Sequence, residues 1–304
     1  MKLKTKNLLT LAELTSKEFI ELINYSIKLK KEFKNGGNKP ILKNKTLTMI
    51  FQKPSTRTRV SFETGMYQLG GHAINLSSND MQLSRGESIE DTAKTLSRYT
   101  DCIMARVYDH ELLEKLSQHA SVPVINGLSN SFHPCQILAD FMTIKEKKKK
   151  FKGLKIAWIG DGNNVCNSMI YGSALSGIDI SIATPKEFQP DKTVVKESKK
   201  SINVELTTDP FLATKNADVV VTDTHSSIHN QDQKRIAKFL PKYQVNAKLM
   251  NNADKNAIFM HCLPAKREQE VTSSVIDGSH SVVWDEAENR LHTQKALLAT
   301  LIHA

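Results

Sequence analysis

The sequence predicts an α/β protein of two doubly wound parallel-sheet domains, with the active site in the cleft between them. Three observations carry this expectation. The chain has 304 residues, more than one hydrophobic core ordinarily serves, so two domains are expected. Short apolar runs rich in β-branched residues alternate with helical patterns, which argues for parallel sheets covered by helices on both faces. The alternation is broken by Lys147-Lys148-Lys149-Lys150 and then Gly153. The first domain is therefore taken as residues 1–147 and the second as 148–285. In sheets of this kind ligands gather at the carboxyl ends of strands and in clefts between domains.

Taken in order, apolar residues recur at helical spacing from Thr15 to about Phe33. Thr15-Ser16-Lys17-Glu18 carries the capping-box pattern that opens a helix, and Gly36-Gly37-Asn38 ends it. Strands are expected near 46–51, 72–76, 102–107 and 122–125, with helices near 56–69, 87–99, 110–120 and 133–146. The second set places strands near 154–160, 178–183, 203–207, 218–222 and 257–261, and a shorter one at Val282-Val283-Trp284. Its helices are expected near 163–176, 191–201, 210–216, 232–240 and 285–303.

Composition narrows the function. Hydrophobic content of 39% and charged content of 24% suit a globular protein with a large core. No window is apolar for about 18 residues, so no membrane span is expected. The basic start Met1-Lys2-Leu3-Lys4-Thr5-Lys6 lacks an apolar signal core, and a cytoplasmic location is expected. Cys102, Cys135, Cys166 and Cys262 are scattered without a C-x-x-C pair, which indicates neither a zinc site nor a disulfide framework. Net charge is +10, from 42 basic and 32 acidic residues. That excess suits an anionic partner. Much of it is lysine without interleaved aromatics, which argues for solvated faces and against nucleic acid.

Ser55-Thr56-Arg57-Thr58-Arg59 carries the strongest chemical signal. It lies between the apolar run Leu47–Phe51 and a helical pattern from Val60, with Pro54 at the change. Free N–H groups at a helix start, and the helix dipole, favour an anion. Hydroxyls and forked guanidinium groups make the turn an oxyanion cradle suited to phosphate. Four weaker patterns sit at other strand or helix ends. Gln82-Leu83-Ser84-Arg85-Gly86-Glu87-Ser88 reads equally as a polar lid over an anion or an ordinary surface turn. His133-Pro134-Cys135-Gln136 opens a helix with proline at its first position, where His133 and Gln136 can address a carbonyl or amide, or simply cap the helix. Gly160-Asp161-Gly162-Asn163-Asn164 departs from a dinucleotide fingerprint, because Val165 stands where the third glycine belongs. It reads as an amide-lined ligand site or a capped turn. His261-Cys262-Leu263-Pro264 ends a strand with a thiol that is a nucleophile, a polar wall or a structural cysteine.

Together these motifs resemble the aspartate/ornithine carbamoyltransferase family, on its ornithine side. Ser55-Thr56-Arg57-Thr58-Arg59 is similar to the family's carbamoyl-phosphate motif. His133-Pro134-Cys135-Gln136, His261-Cys262-Leu263-Pro264 and Asp285-Glu286-Ala287-Glu288-Asn289-Arg290-Leu291-His292 are similar to its later motifs, in order and spacing. The resemblance covers the chain from about residue 8 to its end. It implies a carbamoyl-phosphate-binding first domain, onto which a terminal helix at about 286–304 packs back, and an ornithine-binding second domain. It implies transfer of the carbamoyl group of carbamoyl phosphate to ornithine, with other amines such as N-acetylornithine or putrescine as alternative acceptors. Ser55, Thr56, Arg57, Thr58 and Arg106 match the phosphate binders. Gln82 matches a residue lent by a neighbouring subunit, which implies a homotrimer. His133, Pro134, Cys135 and Gln136 match the carbamoyl end, and Arg290, Cys262 and Leu263 the carbonyl side. Asn164, Asp223, Ser227 and Ile228 match the ornithine binders, with Asp223 and Cys262 near the amine. The catalytic groups implied are Arg57, Arg106, His133, Asp223, Cys262 and Arg290. No metal or cofactor is implied. One stretch departs from the family: its Asp-x-Trp-x-Ser-Met-Gly reads Asp223-Thr224-His225-Ser226-Ser227-Ile228-His229 here.

Overall fold

A computed structural model describes residues 3–77, 81–225 and 232–302. The chain divides into two compact units, Met1–Met142 with Glu288–Ala304, and Thr143–Ala287.

The first unit opens with α1 (Ser16–Lys34), whose N-cap Thr15 and Glu18 form the reciprocal capping box. Strands β1 (Thr46–Phe51), β2 (His72–Ser77), β3 (Cys102–Arg106) and β4 (Val124–Leu128) are joined through α2 (Thr56–Gln68), α3 (Ile89–Tyr99) and α4 (His110–His119). A short 3-10 turn, Gln82–Arg85, ends at Gly86 with φ 96°, a conformation open to glycine. The sheet order is β2-β1-β3-β4, with all pairs parallel. On one of its faces Ile50, Ile103, Ala105 and Val124 pack in a buried cluster with Leu113 of α4. Then comes α5 (Pro134–Lys148).

The second unit alternates in the same way through β5 (Lys155–Ile159), α6 (Asn164–Ser176), β6 (Asp179–Ala183), α7 (Lys192–Ser198), β7 (Val204–Thr207), α8 (Pro210–Thr214) and β8 (Val219–Thr222). It ends with α9 (Gln233–Ala237), α10 (Ala247–Asn252), β9 (Ile258–His261) and α11 (Ser273–Ile276). The order β7-β6-β5-β8-β9 is again all parallel. Buried strands of this kind read as continuous apolar runs such as Val219-Val220-Val221. The short helices α10 and α11 carry too few turns to show a period in the sequence.

The expected strand at Val282-Val283-Trp284 is corrected. Val282 donates one backbone bond to Phe259 O, at 3.0 Å, beside an isolated bridge between Phe259 and Ser281. From Val283 the chain is already helical, as α12 (Val283–Ile302). Three apolar residues in a row fit either a short strand or a buried helix start, and here the carbonyl of Val282 accepts from Glu286 N and opens the helix.

Residues 288–302 of α12 belong to the first unit. Lys295 is fully buried there, with Nζ 2.7 Å from Asn38 Oδ1 and 2.8 Å from Gln68 Oε1 and over the ring of Phe33. Lys30 reaches Asn289 Oδ1 at 2.7 Å. Among the described residues no helix is long and apolar enough to cross a membrane.

Each sheet has one point where the chain reverses its direction of winding: between β1 and β3 in the first unit, and between β5 and β8 in the second. At such points the loops leave neighbouring strands in opposite directions and open a crevice at the carboxyl edge. Phe51 is the register partner of Arg106, so the turn into α2 and Arg106 emerge side by side. Ile159, Thr222 and His261 are in register across three strands, so Gly160, Asp223 and Cys262 leave the sheet at one level.

Phe259 is wholly buried in the second unit's core. Phe259→Ala is expected to cost about 3–5 kcal/mol, read as a lower urea midpoint for that unit. An unchanged midpoint would mean that β9 is not part of the cooperative core.

Candidate active site

In the first unit Ser55 caps α2, its hydroxyl accepting from Thr58 N at 3.3 Å. This fixes the helix start, so the free amides of the first turn face the end of the sheet. Thr58 is buried, and its hydroxyl oxygen accepts from Arg290 Nη2 at 3.3 Å and lies 3.5 Å from Arg106 Nη1. Arg290 also donates through Nη1 to Gln136 Oε1 at 2.7 Å, and Gln136 Nε2 donates to Asp140 Oδ1 at 2.8 Å. His133, just before α5, is buried in this cluster. Burial first, then the charges of Arg290, Arg106 and Arg57, hold its imidazole well below the ordinary histidine range. It is a neutral ring among three guanidinium groups. Cys135 is buried, with Sγ 3.3 Å from Asn126 O, and burial pushes its thiol up to about 12. It is a structural thiol. Arg59 of the same pentapeptide turns away to pair with Glu63, at 2.9 Å on the exposed side of α2. Gln82 begins the 3-10 turn and is exposed. Lys53, which the sequence did not single out, has its ammonium pushed down by burial and by Arg106.

The second unit gathers a different chemistry. Asn163 caps α6 by accepting from Val165 N and Cys166 N, at 2.9 and 3.1 Å. Its Nδ2 donates to Asp223 Oδ2 at 2.8 Å. The other Asp223 oxygen accepts from Thr224 N at 2.7 Å and from Cys262 Sγ at 3.1 Å. Asn164 lies in the first turn of α6, beside this pair. Leu263 has φ 57°, and its amide donates to His261 Nδ1 at 2.9 Å. That fixes the tautomer, so Nε2 carries the proton and donates to Glu270 Oε1 at 3.1 Å. Burial opposes ionisation of Glu270, but the bonds from His261 and from Lys266 N outweigh it and hold the carboxyl below its ordinary value. Asp223, His261 and Cys262 offer possible metal donors within 4.8 Å of one another, the one such group among the described residues. Both ring nitrogens of His261 are already engaged, so this is a hydrogen-bonded wall.

Ser227 and Ile228 lie outside the described residues. The remaining expected residues fall into two groups at the two crevices. Ser55, Thr56, Arg57, Thr58, Arg106, His133, Pro134, Cys135, Gln136 and Arg290 belong to the first unit, and Asn164, Asp223, Cys262 and Leu263 to the second. The sequence reads Asn163 and Asn164 together as an amide-lined site and the resemblance points to Asn164, whereas it is Asn163 that bonds Asp223. Asp161 lies in the same turn. Burial pushes its carboxyl up to about 6, against the pull of Arg235.

His225 is buried and stacks on Phe239, ring centroids 4.5 Å apart and planes 17° from parallel. Gly160, with φ 125°, makes room for it, since a Cβ there would lie 2.9 Å from His225 Nε2. Burial dominates and pushes this imidazole down to about 4 from 6.5, against Glu270 and Asp223, which favour its charge. The unfolded chain therefore takes up a proton below about pH 6.5 that the folded chain refuses until about pH 4. The stability held above pH 6.5 is lost between those values. At pH 5 the loss is about 2 kcal/mol relative to pH 7. His225→Trp is expected to flatten this part of the pH–stability curve, measured by urea denaturation at both pH values; an equally steep curve would place the titration elsewhere.

Known proteins share this arrangement. The model of the carbamoyl-P binding domain of aspartate/ornithine carbamoyltransferase matches residues 6–146, and that of the Asp/Orn binding domain matches residues 152–301. The ornithine carbamoyltransferase of Cenarchaeum symbiosum is 62% identical over 301 residues, covering 99% of each chain. That of Methanocaldococcus jannaschii is 50% identical over 298 residues, covering 96% of this chain and 97% of its own. The solved ornithine carbamoyltransferase from Pyrococcus furiosus superposes with a TM-score of 0.95 at 49% identity, covering 98% of this chain and 97% of its own. Two parallel sheets wound about their own switch points, a guanidinium-rich helix start on one and an amide–carboxylate–thiol group on the other accompany full-length matches of this order: the chain belongs to the aspartate/ornithine carbamoyltransferase family.

Proposed function

We propose that this protein transfers the carbamoyl group of carbamoyl phosphate to the side-chain amine of L-ornithine, giving L-citrulline and phosphate, a reaction of arginine metabolism. The observation that carries this is the gathering of Arg57, Arg106 and Arg290 around neutral His133 at the start of α2. Carbamoyl phosphate brings a dianion attached to a carbonyl carbon, and this cluster supplies a donor for each part. Ser55, Thr56, Arg57, Thr58 and Arg106 bind the phosphate, with the free amides of α2. His133, unprotonated, donates its ring N–H to the carbonyl oxygen, and Arg290 adds a charged donor there. Both strengthen as that oxygen gains negative charge during attack. Gln136, held by Asp140, addresses the carbamoyl amide. Pro134 and Cys135 shape the walls on this unit.

On the second unit Asn164, Asp223, Ser227 and Ile228 hold ornithine. Asp223 and the thiol of Cys262 bind near its amines. The side-chain nitrogen attacks in its neutral form: a C–N bond forms, the C–O bond to phosphate breaks, and the proton shed by the amine goes to phosphate or water. Catalysis is positioning and electrostatics, with phosphate already a good leaving group. Residues 1–147 with the terminal helix are read as the carbamoyl-phosphate domain, and 148–285 as the ornithine domain.

The same proposal includes a homotrimer in which Gln82 reaches a neighbouring subunit's site. Its support is a set of exposed apolar side chains on the first unit: Val60 and Tyr67 on α2, Ile74 on edge strand β2, and Tyr99 at the end of α3. A cytoplasmic location fits four cysteines that are all free thiols.

Phosphate release from carbamoyl phosphate, with ornithine, N-acetylornithine, putrescine and aspartate offered in parallel, tests the reaction. Release and citrulline formation with ornithine alone are expected; release with a different amine would reassign the acceptor. Arg57→Ala is expected to lower turnover by at least about 100-fold and to abolish binding of a phosphate-bearing analogue while the circular dichroism spectrum stays unchanged. Undiminished turnover in that variant would sink the phosphate assignment. Arg57→Ala and Gln82→Ala proteins, each of low activity, are expected to regain activity when dissociated and reassembled together, since mixed trimers contain sites with neither change.

A further inference from the structure

Arg235 has no part in the chemistry above, yet it joins three of the loops that rim the second unit's crevice. Its Nη2 pairs with Asp161 Oδ2, in the loop after β5. Its Nε donates to the carbonyl oxygen of His225 at 3.3 Å, in the loop after β8. Its guanidinium carbon stands 4.3 Å from the ring centre of Phe188, in the stretch after β6, and 5.6 Å from that of Phe239. Phe239 in turn stacks on His225 and lies 4.8 Å from Phe188, centre to centre. Only a planar group with several fixed donors makes all these contacts at once, since an ammonium offers a point charge and no face to stack.

What these contacts flank is the amine-binding pair. Asp161 precedes Asn163 by two residues, and His225 follows Asp223 by two, while Asn163 and Asp223 bond each other at 2.8 Å. Trp158 Nε1 fixes the same loop from beneath, donating to Asp161 O at 2.9 Å. We infer that Arg235 is a positioning residue for the ornithine half-site: by holding Asp161 and the carbonyl of His225 against one aromatic bed, it sets the spacing of the Asn163–Asp223 pair and hence the place of the amino-acid substrate. This rests on the proposed reaction, and it deepens that reading by giving the substrate pair a brace that touches no substrate. Both ion-pair partners are largely buried, with side-chain exposures of 24% and 12%, so the contact is shielded from solvent screening.

The test compares the wild-type protein with Arg235→Gln, Arg235→Lys and Asp161→Asn in steady-state assays with ornithine and carbamoyl phosphate, beside calorimetric binding of carbamoyl phosphate. Arg235→Gln is expected to raise the KM for ornithine about ten-fold or more, with kcat changed less than about three-fold. The dissociation constant for carbamoyl phosphate stays put. Arg235→Lys, which keeps the charge and loses the planar contacts, falls between. Asp161→Asn raises the same KM, and the double variant Arg235→Gln with Asp161→Asn is no worse than the poorer single variant. A purely structural role would lower Tm and the active fraction at an unchanged ornithine KM; that result, in the glutamine variant or, where that fails to fold, in the lysine and Asp161→Asn variants, overturns the inference. Wild-type protein that releases no phosphate with ornithine would defeat the proposed reaction itself, an outcome distinct from variants that keep the wild-type KM.

Discussion

The crowding of three guanidinium groups at one helix start is the constraint around which the first unit is arranged. Like charges at contact distance repel by about 1 kcal/mol in water and about 4 kcal/mol near a protein surface. Arg57, Arg106 and Arg290 nevertheless surround one buried imidazole, and together with burial they keep it neutral. The structure tempers the crowding with the buried hydroxyl of Thr58 and the amide oxygen of Gln136, both acceptors for Arg290. These neutral acceptors fix where the guanidinium forks point without cancelling their charge. In the proposed reaction a dianionic substrate reverses the sign of this interaction. Thr58 and Arg290 stand 232 positions apart in the chain, and the return of the last helix to the first unit is what joins them. Buried Lys295 and Lys30, bonded to Asn38, Gln68 and Asn289, hold that helix in place.

The second unit solves the opposite problem. Its central group is a carboxylate with both oxygens already in hydrogen bonds, from Asn163, Thr224 and Cys262. A carboxylate held on several sides by hydrogen-bond donors is fixed in its direction. The neighbouring pair of His261 and Glu270 is fully buried and fixed in one tautomer by Leu263 N. It acts as a rigid wall behind Cys262. Thr222, bonded to Ile159 O at 2.6 Å, ties the two strand ends from which these loops depart.

His225 stands where the family pattern has tryptophan. An aromatic ring is kept at the position, flat against Phe239, so its stacking role survives the change. What is new is a titratable group inside an apolar bed, next to a fixed guanidinium. The bed favours the neutral ring, and the demand for neutrality links the stability of this unit to acid.

By itself the sequence determined the alternation of strands and helices, the two-unit plan and the capped helix start that carries the hydroxyls and arginines. Each is written locally: apolar runs, the capping pattern at Thr15, Pro54 before three hydroxyls and two arginines. Short helices such as α10, and the start of α12 at Val283, were not legible, because a few residues carry no period. Strand order was not legible either. Nothing local says that β1 lies between β2 and β3, or that β5 lies between β6 and β8, yet those orders create the crevices. Tertiary structure also decided which of two neighbouring asparagines holds Asp223, turned Arg59 outward to Glu63, and brought Arg235 to Asp161. The reason in every case is the same: strand pairing, the direction of a side chain and the meeting of distant charges depend on register and packing between segments, and a sequence pattern records only the preferences of each segment alone.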